Sequence, residues 1–125
     1  MRILINLYNY MENINIFDTY TGGKHPETLT KKVKNNTYKF IPYDIKSNDG
    51  VYSWKYIEIP PEQFNYNGLI ECLIACKYTL RDTIAIMLNY LSDSNNKKYK
   101  EELDELQAWR KYAKDYAKEY FNVGK

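Results

Sequence analysis

Few side chains in this sequence are suited to proton transfer, nucleophilic attack or metal binding. In 125 residues there is one histidine, His25, and two cysteines, Cys72 and Cys76. Gly22-Gly23-Lys24 looks at first like the end of a phosphate-binding loop. That pattern needs a glycine five residues before Gly23 and a Ser or Thr after the lysine, and Asp18 and His25 stand there instead. His25 has no credible nucleophile to activate, and with the two cysteines it makes three possible metal ligands of mismatched context. Cys72 and Cys76 lie four apart in a segment that reads as helix, on one face but in poor geometry for a bridge, so they are expected to be reduced core residues. Glu101, Glu102, Asp104 and Glu105 could be imagined as an acid–base or cation site. A carboxylate run beside Lys97, Lys98 and Lys100 is better read as the solvated face of a helix, since paired carboxylates need a pocket that separates their environments. No cofactor, no metal and no enzymatic activity are expected.

Composition points to contact surfaces. Fourteen tyrosines accompany the single histidine, although the abundance of Asn, Ile, Lys and Tyr, all with A/T-rich codons, weakens the tyrosine excess as a sign of binding. Eighteen basic and sixteen acidic side chains leave a formal charge of +2, spread evenly along the chain, unlike the one-sided excess of a dedicated nucleic-acid or membrane binder. The apolar stretch after Arg2 is interrupted by Asn6 and Asn9, short of a signal-peptide core, and no run approaches the ~20 apolar residues of a membrane span. The expectation is synthesis in a cytoplasm, with any extracellular role reached inside an assembly.

The elements that must position these surfaces change character at Pro60-Pro61. The expected fold is α+β in one domain, with residues 1–60 mainly strand and loop and 66–121 helical. Arg2 to Tyr8 reads as a first strand with Ile3, Ile5 and Leu7 on one face, and Asn13 to Phe17 as a weaker candidate. Thr37 to Ile45 and Val51 to Ile59 flank Lys46-Ser-Asn-Asp-Gly50, and an Asp-Gly pair between two such runs predicts an antiparallel hairpin. Tyr52, Trp54 and Tyr56 would share one face of its second strand, with Ile57 and Ile59 on the other. Pro42 places the first strand at an edge or ends it early. Thr19 to Asn36 reads as a long polar loop with a turn at Pro26-Glu-Thr.

After Pro61 the apolar period becomes about 3.6. Leu69, Leu73, Ile74 and Cys76 mark a short first helix ending near Lys77. Thr79 with Asp82 resembles a capping box opening a second, whose apolar face is Leu80, Ile84, Met87, Leu88 and Leu91. Ser92 to Asn96 breaks the chain, and about Lys97 to Phe121 forms a long third helix. Tyr99, Leu103, Leu106, Arg110, Ala113, Ala117 and Tyr120 recur along one of its faces, which needs a partner. Helices two and three are expected to make an antiparallel hairpin whose far end projects.

The candidate partner-binding residues are Tyr52, Trp54 and Tyr56 on the hairpin and Trp109, Arg110, Tyr112, Tyr116 and Tyr120 on the last helix, since Trp, Tyr and Arg are over-represented at interfaces. Packing of Trp109 and Tyr116 beneath the sheet is the competing reading. Lys31-Lys32-Val-Lys34, with Tyr38-Lys-Phe40 and the Tyr52 to Tyr56 run, interleaves cations with aromatics as single-strand-binding sheets do.

Three stretches carry a resemblance: Trp54-Lys-Tyr-Ile-Glu-Ile-Pro-Pro61, Tyr78-Thr-Leu-Arg-Asp82 through Asn89, and Gln107-Ala-Trp-Arg-Lys-Tyr-Ala-Lys114. Together they resemble small accessory proteins of tailed bacteriophages of gut bacteria, including crAss-like phages. The resemblance covers about the last seventy residues and implies a structural or tail-fibre-associated protein. The expectation is therefore a non-enzymatic virion structural protein, a head-fibre, capsid-decoration or tail-adaptor subunit, oligomeric and in contact with other virion proteins. It would reside in the virion, and in host cytoplasm during assembly. The alternatives are a tail-fibre assembly chaperone absent from the mature virion and, third, a single-stranded nucleic-acid-binding regulator, which the balanced charge disfavours.

Overall fold

Two hairpins build the sheet of this protein. A computed structural model describes residues 2–3 and 15–122. Its strands are β1 (Arg2–Ile3), β2 (Tyr20–Gly22), β3 (Leu29–Val33), β4 (Asn36–Asn48) and β5 (Val51–Ile59), in the spatial order β1-β2-β5-β4-β3. The pairs β2–β5, β5–β4 and β4–β3 are antiparallel, and β1 joins β2 in parallel. With three helices following the sheet, the fold is α+β.

The predicted hairpin is present and tighter than the sequence suggested. Asn48 pairs with Val51, so the turn is Asp49-Gly50 alone, at positive φ of 51° and 79°. Asp and Gly suit the left-handed backbone that a two-residue turn needs to match the twist of its strands. The segment from Thr19 to Asn36 is not a loop: it contains β2 and β3. Strand β3 reverses through Lys34, at φ 57°, into β4. Nor is Pro42 at an edge strand or an early end, because β4 lies inside the sheet and Pro42 pairs with Tyr56. The pairing of β3 with β4 stops at Leu29–Phe40, so on that side nothing waits for the N–H that Pro42 lacks. Of the first predicted strand only Arg2–Ile3 is described, and Ile5 and Leu7 lie outside the described residues. Of the second candidate, Ile16 and Phe17 sit in a turn.

A bulge between Tyr43 and Lys46 completes the sheet's core. One extra residue in β4, with Asp44 at φ 52°, shifts the register by one, returning Ile45 to the face that carries Trp54. There Tyr20, Leu29, Phe40, Trp54 and Tyr56 form one buried cluster, with Ile45 and Tyr52 packed against it. Ile41, Ile57 and Ile59 are buried on the opposite face, as the alternation predicts.

Chain length suggests one domain, and within it the contacts form two compact units, Met1–Phe64 and Asn65–Lys125. The second unit contains α1 (Tyr66–Ala75), α2 (Leu80–Ser92) and α3 (Lys97–Tyr120). Each has a side-chain cap: Asn65 accepts from Gly68 N, Asn96 accepts from Tyr99 N, and Thr79 and Asp82 close the predicted reciprocal box at 3.0 and 3.1 Å. Leu69 and Leu73 of α1 and Leu106, Ala113 and Ala117 of α3 are its buried apolar side chains. Cys72 is half-buried and Cys76, just past the end of α1, is exposed, so the core role expected of the pair does not extend to Cys76. Every other member of the predicted α3 stripe is half-buried. The far end of α3 does not project freely. Helix α1 packs along it, and the Trp109 indole Nε1 donates to the Leu73 carbonyl at 2.8 Å.

Candidate interaction surface

The apolar face that the sequence marks on α2 is the side left open. Thr83, Ile86, Asn89 and Tyr90 are its half-buried positions, while Leu80, Ile84, Met87, Leu88 and Leu91 are 43–76% exposed. No residue of α2 is fully buried. A helix with mostly polar residues inward and five large apolar residues outward is the reverse of a solvated surface helix. Leu80, Arg81, Ile84, Ala85 and Leu88 line a shallow apolar depression of about 430 Å³ on this side. The helix is held in register at its start by the Thr79–Asp82 box, a cap contributing about 1 kcal/mol. Periodicity found these five residues. Periodicity alone does not say what lies opposite them.

The candidates on the last helix are drawn into local packing. Trp109 stacks on Tyr112 at 4.9 Å, Tyr112 on Tyr116 at 5.8 Å, and Tyr116 meets Tyr120 edge-on at 6.3 Å. This aromatic column is half-buried. Lys77 Nζ lies 4.6 Å from the Trp109 ring centroid, and with the hydrogen bond to Leu73 it ties the indole to α1. Arg110 is half-buried beside the column. The sheet candidates are corrected further. Trp54 and Tyr56 are each 1% exposed and belong to the core; Tyr52 alone is partly open, with His25 edge-on against it at 5.6 Å. Burial of Trp54, Tyr56 and Phe40 also withdraws three of the rings on which nucleic-acid bases would stack, leaving Tyr38 and Tyr52 half-buried.

A cleft lies on the sheet unit. The strap from Gly22 to Glu27 stands over Leu29, Trp54 and Tyr56 around about 630 Å³. Its exposed titratable residues are Lys24, His25 and Glu27. His25 Nδ1 contacts the Pro26 carbonyl at 3.0 Å. Among the described residues no group of three or more His, Cys, Asp or Glu converges on a metal position. Three acidic residues at the start of α3 pair at i,i+4 with exposed lysines, Lys97 to Glu101, Lys98 to Glu102 and Lys100 to Asp104, in keeping with a solvated face.

Burial raises the phenol pKa of Tyr56 and of Tyr116 well above the ordinary value near 10, with Tyr112 and Tyr120 adding to the effect at Tyr116. Folded phenols that keep their protons longer than unfolded ones stabilise the protein fully below about pH 10 and lose that contribution as the pH climbs toward the folded value. Urea-unfolding stability is therefore expected to hold up to about pH 10 and to fall progressively as the pH rises above it. Tyr116→Phe should flatten that decline, and an unchanged slope would contradict this account of Tyr116.

No helix among the described residues is long and apolar enough to cross a membrane. No protein-family model matches this chain, and no curated protein or solved structure matches it.

Proposed function

We propose that this chain is a non-enzymatic subunit of a protein assembly, of the bacteriophage head-fibre, capsid-decoration or tail-adaptor kind, which joins its neighbours through the open face of α2. The observation that carries this reading is the exposure of Leu80, Ile84, Met87, Leu88 and Leu91 on one capped helix. Exposed apolar patches of this kind mark association sites, because leaving them in water costs free energy that a partner recovers. The shortage of catalytic side chains supports a contact role, and the resemblance to phage accessory proteins supports the virion as the setting.

Mass spectrometry of purified particles of the parent phage tests the proposal. Stoichiometric presence is expected. Absence from particles, with expression confirmed in infected cells, would overturn the virion reading and leave the assembly chaperone in its place.

A further inference from the structure

We infer that the occupant of the α2 face is a second copy of α2, packed antiparallel across a two-fold axis. The inference rests on the assembly reading above and identifies its first contact. Leu80, Ile84, Met87 and Leu91 follow one another at steps of four, three and four, the a/d seam of a coiled coil. That spacing reads the same from both ends. About a two-fold axis midway between Ile84 and Met87, Leu80 therefore meets Leu91 of the second copy and Ile84 meets its Met87, and the same pairs recur on the other side. An isologous contact requires this self-complementarity. Leu88 flanks the seam and covers its edge.

Charge selects the antiparallel arrangement. Arg81 stands in the first turn of its own helix, where the positive end of the dipole disfavours it. Across the seam it lies opposite position 90 of the second copy, beside the negative end of that helix and within one turn of the exposed Asp93. No basic residue occupies the last turn of α2 to compete for this place. A parallel pair would bring two positive helix ends and both Arg81 residues to one end of the seam. The five side chains each offer on the order of 60–100 Å², so the pair removes on the order of 600–1,000 Å² from water, below the ~1,200 Å² at which stable interfaces begin and in the range of weak, transient contacts. Association is expected to be reversible, with a Kd of about 1–100 μM. Being apolar, it should persist at salt concentrations that dissociate nucleic-acid complexes.

Sedimentation of the full chain across that concentration range tests the inference. Wild type should shift from monomer to dimer. Ile84→Glu and Met87→Lys should each remain monomeric with unchanged helical circular dichroism, because both side chains are open in the single chain. Mixing these two variants should restore a dimer, since the antiparallel register alone sets the new carboxylate of the first variant against the new ammonium of the second. A wild type that stays monomeric throughout overturns the second copy as occupant. Association that survives Ile84→Glu, or variants that fail to rescue one another, overturns the face or the register. None of these results decides the assembly reading. If wild-type chain is monomeric yet present in particles, and Ile84→Glu is lost from them, α2 docks on a different virion protein.

Discussion

Replacing Trp54 by alanine is expected to unfold the sheet unit. Trp54 is 1% exposed, pairs with Tyr20 across β2 and β5, and meets Tyr56 edge-on at 6.3 Å. Removing a buried tryptophan costs about 3–5 kcal/mol through lost transfer energy and the cavity left behind. A unit of this size has a total stability of about 3–10 kcal/mol at typical values per residue. Hydrogen exchange of the β4 and β5 amides should show protection in the wild type and its loss in Trp54→Ala. Phenylalanine should behave differently. Among the described residues the Trp54 Nε1 is buried with no hydrogen-bond partner, so Phe removes an unsatisfied donor while keeping most of the ring. Trp54→Phe is expected within about 1.5 kcal/mol of wild type. A Phe variant as damaged as the Ala variant would show that the indole N–H matters after all.

The second large effect is expected at Trp109, and it concerns folding rather than recognition. Its indole donates to the Leu73 carbonyl, carries Lys77 over one face and begins the Trp109–Tyr112–Tyr116 stack. Trp109→Ala should cost the helical unit about 3–4 kcal/mol, and Trp109→Phe about 1 kcal/mol for the hydrogen bond. The measurement is convenient because the chain has two tryptophans, one in each unit. In Trp109→Ala the remaining fluorescence reports the sheet, so helix loss is followed by far-ultraviolet circular dichroism. A variant that keeps its helical unfolding midpoint would return Trp109 to the class of partner contacts. Against this stands Ile84→Glu on α2, which should leave the midpoint unchanged while removing association.

What the sequence determined by itself is local. The Asp49-Gly50 turn, the β5 alternation, the Thr79–Asp82 box and the α3 stripe each depend on residues close in the chain, whose conformational preferences act without help from elsewhere. Strands β2 and β3 were not legible because three and five residues, with Gly22 and three lysines nearby, carry no period; their extended form comes from hydrogen bonds to β5 and β4, which belong to distant sequence. Pro42 lies inside β4 because β3 ends where the missing N–H would have mattered, a boundary no local rule contains.

The candidate surface divides in the same way. Apolar spacing marked Leu80, Ile84, Met87, Leu88 and Leu91 as one face, and aromatic content marked Trp54 and Tyr56 as partner contacts, yet on folding the first set is exposed and the second buried. Burial is decided by what stands opposite a side chain once the elements are packed, and hydrophobicity measures only the gain available if something does. Opposite Trp54 stand Tyr20 and its neighbours, brought there by the sheet, while α2 turns its half-buried side inward and leaves its apolar face in water.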